Sequence, residues 1–368
     1  MTGGRRHAAE GESSTRDRQA SRARSVVRSQ RAGGAIALTG VNTYLGRSLV
    51  AFLERDRRWR RIVAIDLKNT PTSGPKTRFY KIDLTQPAVD AQLAEILHAE
   101  KVDTVVHGAF LGTPTRATAW AHELESVGTM HVLGACEEHR IRKLVLWSQT
   151  VLYGARPDNP LYLTEDHPLR GDSRWSFIAD KIDAEQQVLA YAQRASSTVV
   201  TVLRTALALG PTVRSLVTDL LRQPVVPVVL GYDPLMQLMH ELDVVAAFRI
   251  AIEEDHPGVF NIVAPGVLPL TSVLRLAGLL ELWIPTPVAK AALGALFAAN
   301  LSRPSPVVLD YFRFPCVASG EKAAEQMGFK ASYSTRDALG DFVRVLRGLA
   351  GAEGTVVASS ASMRRGMR

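Results

Sequence analysis

The sequence predicts an α/β protein, a doubly wound parallel sheet carrying a smaller carboxyl-terminal α/β lobe. Three observations lead there. Short apolar runs rich in β-branched residues alternate with amphipathic helical patterns from residue 35 to about residue 205, as in βαβ units with helices on both faces of a sheet. The first run, Ala35-Ile-Ala-Leu-Thr39, passes through Gly40 directly into a helical stretch. After Gly210-Pro211 the texture changes to shorter, proline-interrupted pieces, which reads as a second unit.

Taken in order, Ile36–Leu38 is the first strand and Leu45, Leu49, Phe52 and Leu53 share one face of the first helix. Between them Gly40 can take the angles of a tight turn, Gly46 lets the helix approach the strand closely, and the first N–H groups of the helix face an anion. The second strand, Ile62–Ile65, ends at Asp66, twenty residues beyond Gly46. That is the usual distance for a carboxylate that accepts from an adenosine ribose, so the segment predicts a Rossmann-type dinucleotide site. Asp66 repels a 2′-phosphate, which favours NAD over NADP as cofactor. Thr43 stands where the spacing wants the middle glycine. A positive φ at that residue would cost about 1–2 kcal/mol, although its hydroxyl is a candidate donor to a phosphate.

Four further runs, Phe79–Ile82, Val102–Val106, Leu144–Trp147 and Val199–Leu203, bring the predicted strands to six. Trp120, Leu124 and Val127, then Ile178, Ile182 and Leu189, give helices with one face for the sheet. Beyond residue 211 we expect a helix near 213–222, a strand near 225–230, a helix near 241–253 and a strand near 258–263. The resulting organisation is a disordered basic tail (1–33), a dinucleotide-binding domain (34–211), an interleaved substrate lobe (212–349) and a flexible tail (350–368). The lobe falls at the carboxyl ends of the strands, where open parallel sheets bind ligands.

The net charge of +8 is concentrated at the ends of the chain. Residues 1–33 hold eight Arg against three acidic residues, and residues 350–368 hold three Arg against Glu353. With no aromatic residue to stack on bases in the first tail, a solvated extension is favoured over nucleic-acid binding. The first thirty residues lack the apolar core of a signal peptide, which places the expected location in the cytoplasm. Cys136 and Cys316 have no metal or disulfide spacing. The most apolar region, 267–301, is interrupted by Arg275, Glu281, Pro285, Pro287 and Lys290 and is too broken to span a membrane. Core packing is its expected use, with a helix lying on a membrane or a partner as the alternative for Ala291–Leu301.

The ordered set Thr39-Gly40-x-x-Thr43-x-x-Gly46, Asp66, Asp83-Leu84, Val106-His107-Gly108-Ala109, Ser148 to Tyr153-Gly154, and Lys181 resembles the extended short-chain dehydrogenase/reductase family in its epimerase/dehydratase branch. Gly210-Pro211, Met239-His240-Glu-Leu-Asp243 and Val259-Phe-Asn-Ile262 continue the resemblance toward residue 345. It implies cofactor contacts at Gly40, Thr43, Tyr44, Leu45, Gly46, Asp66, Asp83, Leu84, His107, Ala109 and Lys181. Asp83 and Leu84 would hold the adenine, His107 to Ala109 would line the dinucleotide, and His240 and Asp243 would support the lobe.

The family's chemistry uses a tyrosine and, four residues on, a lysine that lowers the phenol pKa. Here Lys181 is kept and Phe177 stands in the tyrosine place. Gln149, flanked by Ser148 and Thr150, occupies the place of a second hydroxyl, and Leu207 that of a substrate-touching asparagine. Lys181, Ser148 and Gln149 are therefore the catalytic candidates. Lys181 is read equally as a ribose ligand or as an exposed helix lysine beside Asp180. Tyr153 is expected to pack as structure, while Tyr162, Glu165, Asp166 and His167 lie in a loop that can cover the pocket. Two functions follow as expectations. One is an atypical NAD(P)-binding oxidoreductase or epimerase acting on a small apolar or nucleotide-linked substrate, with homodimer pairing through helices such as 117–139 and 174–194. The other is a non-catalytic dinucleotide sensor or scaffold.

Overall fold

The computed structural model describes residues 34–348. The expected tails at 1–33 and 350–368 lie outside them. The chain begins β1 (Gly34–Thr39), α1 (Tyr44–Arg55), β2 (Trp59–Asp66), β3 (Thr77–Lys81), α2 (Val89–Ala99) and β4 (Thr104–His107). Then come α3 (Thr118–His122), a π-helical turn (Glu123–Val127) and α4 (Gly128–His139) without a break. β5 (Lys143–Gln149), α5 (Ser176–Arg194) and β6 (Val199–Thr205) follow. The lobe elements are β7 (Leu207–Leu209), α6 (Leu216–Leu220), β8 (Val225–Val229), β9 (Leu235–Met236) and β10 (Leu238–His240). After α7 (Glu241–Glu253) and β11 (Gly258–Ile262) come β12 (Leu268–Pro269), α8 (Leu270–Ala277), β13 (Leu280–Ile284) and α9 (Thr286–Ala298). A 3₁₀ segment (Pro306–Phe312), α10 (Glu321–Gln326) and α11 (Thr335–Leu346) end the described chain.

The central sheet has seven strands in the order β11-β6-β5-β4-β1-β2-β3, all parallel. Successive residues of a strand point to opposite faces, and β1 shows the consequence. Ile36 and Leu38 join Leu45, Leu49 and Phe248 in one core, whereas Ala35 and Ala37 join Leu93, Val105 and Val188 in the other. A third core of Leu209, Val226, Leu238, Leu274 and Phe342 belongs to the lobe.

The strand near 258–263, expected within the lobe, is instead the seventh strand of the main sheet, with Gly258–Ile262 in register against Thr201–Thr205 of β6. Lys143 anchors the helix that leads into it. Its fully buried ammonium donates to the carbonyls of Ala251 (3.0 Å), Ile252 (3.2 Å) and Glu254 (2.6 Å) at the end of α7. Such a cation satisfies the orphan acceptors of a helix terminus. His240 and Asp243 make side-chain to backbone bonds in the lobe. His240 Nδ1 accepts from Leu242 N (3.2 Å), and Asp243 accepts from Ser332 N (2.9 Å) and Tyr333 N (3.0 Å).

The apolar region 267–301 divides. Val273, Leu274 and Ala277 of α8 are buried, but α9 buries only Ala289 and leaves Val288, Leu296 and Phe297 exposed. Core packing therefore does not account for α9, because it crosses the surface of the lobe with nothing over its outer face among the described residues. No described helix is long and apolar enough to cross a membrane.

Candidate functional site

The glycine turn is built as a clasp. Gly40 has φ +73° and donates its N–H to Ile65 O (3.1 Å). A Cβ there would lie 2.4 Å from Gly108 O, and a Cβ at Gly46 would lie 2.3 Å from Gly40 O. Thr43 has φ −67° and ψ 161°, an extended conformation open to any residue. The strain expected at this position does not arise, since the left-handed step falls on Gly40 alone. Thr43 is the N-cap of α1. Its Oγ1 accepts from Gly46 N (3.0 Å) and donates to Gly40 O (2.8 Å), so its proton is already committed within the turn. Asp66 closes the clasp, accepting from Asn42 N (3.0 Å) and Leu67 N (2.7 Å). The Tyr44 and Leu45 N–H groups, in the first turn, have no acceptor within the helix. Gly40→Ala should destabilise the protein by about 2 kcal/mol or more, from φ strain and overlap with Gly108. Urea denaturation measures it, and an unchanged midpoint would contradict the geometry.

A cavity of 470 Å³ opens from this turn at the carboxyl ends of β5 and β6 and runs under the lobe. All four positions that depart from the family pattern, Thr43, Gln149, Phe177 and Leu207, line it. Tyr44 lines it as well, whereas Asp66, Asp83, Leu84, His107, Ala109, Ser148 and Lys181 lie outside its wall.

Lys181 is neither exposed nor open to the cavity. Its ammonium donates to both oxygens of Glu125 at 2.7 and 2.8 Å, and the two side chains are 4% and 1% exposed. Glu125 Oε1 also accepts from Leu111 N (2.6 Å). Burial pushes the Lys181 pKa down and that of Glu125 up, and each charge restrains the shift of the other. The Phe177 ring, one turn earlier on α5, lies 3.8 Å from the Lys181 ammonium, a cation–π contact. Sequence reasoning missed Glu125, which reads as one of several solvated helix acids. The π-turn that aims it inward has no sequence signature, although such turns recur at functional sites.

Strand alternation separates Ser148 from Gln149. The Ser148 hydroxyl donates to the buried Glu185, which also accepts from Arg204 Nε (2.9 Å). Arg204 Nη1 donates to the Tyr153 hydroxyl (2.7 Å), and that hydroxyl donates to Asn261 Oδ1 (2.9 Å). Ser148 and Tyr153 thus belong to a buried network, and only Gln149 of the neighbouring pair faces the cavity. The 162–167 segment is tied to the same network. Asn261 N donates to Glu165 Oε1 (2.7 Å), Leu163 bridges to Ala318, and none of Tyr162, Glu165, Asp166 or His167 lines the cavity.

His107 is enclosed between hydroxyls. Thr129 Oγ1 donates to Glu125 O (2.5 Å), so His107 Nε2–H donates to Thr129 (2.9 Å) while Nδ1 accepts from Thr39 (2.7 Å). Burial lowers its pKa to about 3, and the ring is a neutral strut between β1, β4 and α4. Asp83 accepts from the N–H (3.1 Å) and hydroxyl (2.7 Å) of Thr85. Leu84 is buried against Gly128, and half-buried Ala109 backs Gly40. Among the described residues no cluster of His, Cys, Asp and Glu has metal-site geometry.

A parallel sheet with a glycine turn at the end of β1 and a cleft over its carboxyl edge defines a Rossmann-type nucleotide-fold protein. The family model for the NAD dependent epimerase/dehydratase family matches residues 36–263, and the chain belongs to that family. An uncharacterized protein of Mycobacterium tuberculosis, Rv0501, is 31% identical over 323 residues, spanning 84% of this chain and 83% of the relative. Among solved structures, MoeE5 in complex with UDP-glucuronic acid and NAD superposes with a TM-score of 0.67 at 21% identity, over 86% of this chain and 100% of that one. UDP-glucose 4-epimerase of Thermotoga maritima with UDP-glucose gives 0.66 at 18% identity, over 86% and 100%. At these identities the likeness is one of fold.

Proposed function

We propose that this protein binds a nicotinamide dinucleotide, NAD in preference to NADP, and works as an oxidoreductase or epimerase without the usual phenol relay. The family assignment and the fit of the turn support the cofactor. Gly40 and Gly46 permit the close backbone approach, the α1 N-terminus borders the cleft, and Asp66 keeps lone pairs for a ribose hydroxyl. Asp83 and Leu84 would flank the adenine. NAD, when bound, supplies a hydride acceptor.

The observation that carries the catalytic reading is the Phe177 ring over the Lys181 ammonium. The ring and cation keep the i, i+4 arrangement of the family, but the ring has no exchangeable proton. Gln149 offers a hydrogen-bond donor at the cavity and holds no titratable proton. Glu125 keeps Lys181 charged and fixed behind the ring, where a phenol at position 177 would have its pKa lowered by the cation.

Phe177→Tyr is therefore expected to raise NAD-dependent turnover by roughly 10²-fold or more, the scale of a restored general acid–base group. Nicotinamide absorbance over a panel of alcohols, carbonyl compounds and nucleotide sugars reads it. An equal rate in the variant would mean that another residue supplies the proton. The same four departures support a second reading, a non-catalytic dinucleotide sensor. Turnover in neither form, with NAD bound by calorimetry, would favour that reading. Binding of neither NAD nor NADP would end both.

A further inference from the structure

The cavity is polar where it meets the glycine turn and apolar where it runs under the lobe. Leu207, Leu216, Leu220, Leu293, Val308 and Phe312 form its far wall, from three separate elements and one strand end. Apart from the buried Tyr44 phenol, which has no partner among the described residues, the hydroxyls of residues lining the cavity are committed to protein partners. Thr205 Oγ1 accepts from Trp147 Nε1 (3.0 Å) and donates to Ser148 O (3.2 Å). Thr212 donates to Glu241 (2.6 Å), Ser215 caps α6, and Tyr311 donates to Val151 O (2.8 Å). The Gln149 amide, by contrast, has no hydrogen-bond partner among the described residues. Arg214 reaches the wall only as an exposed residue.

A nucleotide sugar brings a charged diphosphate and a ring of hydroxyls, and burying these against such a wall would leave them without partners. A hydrocarbon carrying one oxygen meets no such penalty. The wall also continues outward: Leu296 and Phe297, three and four residues beyond Leu293 and on the same side of α9, are exposed. Residues 286–303, which include this helix, hold no acidic residue.

Building on the reading of this cleft as a substrate site beside the dinucleotide, we infer that its substrate is lipid-like. The ligand is a long-chain or polycyclic hydrocarbon with a single hydroxyl or carbonyl group. Its oxygen bonds the Gln149 amide and its hydrocarbon lies on the lobe wall, with an entrance along α9.

Trp147 and Trp175 line the cavity and report occupancy by fluorescence. The full chain is titrated with geranylgeraniol, with cholesterol and with UDP-glucose, in the presence and absence of NAD. At least one alcohol is expected to bind at least ten times more tightly than UDP-glucose. Leu293→Gln, on the surface helix, and Leu207→Asn, at the strand end, should each weaken that alcohol by about tenfold, the scale of one lost apolar contact. Melting temperatures identify a variant that fails to fold, and the other then carries the test. Binding of UDP-glucose in preference to both alcohols, binding of neither alcohol, or unchanged alcohol affinity in both folded variants would overturn the inference. NAD affinity is measured separately by calorimetry. Loss of the alcohol result with NAD still bound removes the lipid assignment alone. Alcohol binding without NAD binding removes the cofactor reading and leaves the lipid site standing.

Discussion

Glu125→Ala is expected to cost about 3–5 kcal/mol of stability, because it strands a buried ammonium. Both members of the pair are almost wholly removed from solvent, and the two Nζ–O contacts of 2.7 and 2.8 Å are the Lys181 hydrogen bonds among the described residues. Without Glu125, Lys181 would keep only the Phe177 ring and the more distant charge of Asp180. Leu111 N would also lose its acceptor. Burial already pushes the Lys181 pKa down, so in the variant it would shed its proton more readily and part of the loss would fall as pH rises. The control is the double variant Glu125→Leu with Lys181→Met, which removes the desolvation of both charges and should be more stable than Glu125→Ala alone. Urea unfolding of the three proteins decides it. A loss below about 1 kcal/mol for the single variant would mean that water reaches the pair, as in a surface ion pair.

That pair marks the limit of what the sequence discloses. The strand–Gly40–helix unit was legible because every requirement in it is local: a continuous apolar run in β1, a left-handed glycine, and a close approach at Gly46. The helix at 241–253 was legible for the same reason. The sequence pattern of the seventh strand identifies it as a strand but places it with the lobe, because its partner β6 lies more than fifty residues earlier and only the assembled sheet brings them together. Thr43 looked like a defect because spacing alone cannot say which residue of a turn takes the positive φ. Lys181 reads two ways from sequence because its partner Glu125 reaches it only through the π-turn. The four departures from the family pattern, scattered over 165 residues of sequence from Thr43 to Leu207, converge on one cavity. That convergence belongs to the fold, and it turns separate substitutions into a single change in the character of the site.

The buried network behind the cleft yields the second large effect. Arg204→Met should destabilise the protein by about 3–5 kcal/mol, since Glu185, wholly buried, would be left with only the Ser148 hydroxyl as a donor. Tyr153 would lose the guanidinium that donates to its hydroxyl, and the Glu165 carbonyl would lose a bond of 3.3 Å. Those contacts join β5, α5, β6, β11 and the 162–167 segment at the edge of the cleft. Amide exchange should therefore quicken in 148–153 and 163–165 before it does in β1 or α1. The glycine turn makes none of these bonds, so NAD affinity of the folded variant should stay close to that of the parent chain. A variant that kept its stability within about 1 kcal/mol would show the Glu185 charge to be solvated by some other route. One that kept stability but lost NAD would move Arg204 out of the scaffold and into the cofactor site. The geometry argues against both, because Nε, Nη1 and Nη2 of Arg204 are all engaged by Glu185, Tyr153 and the Glu165 carbonyl, and Arg204 does not line the cavity.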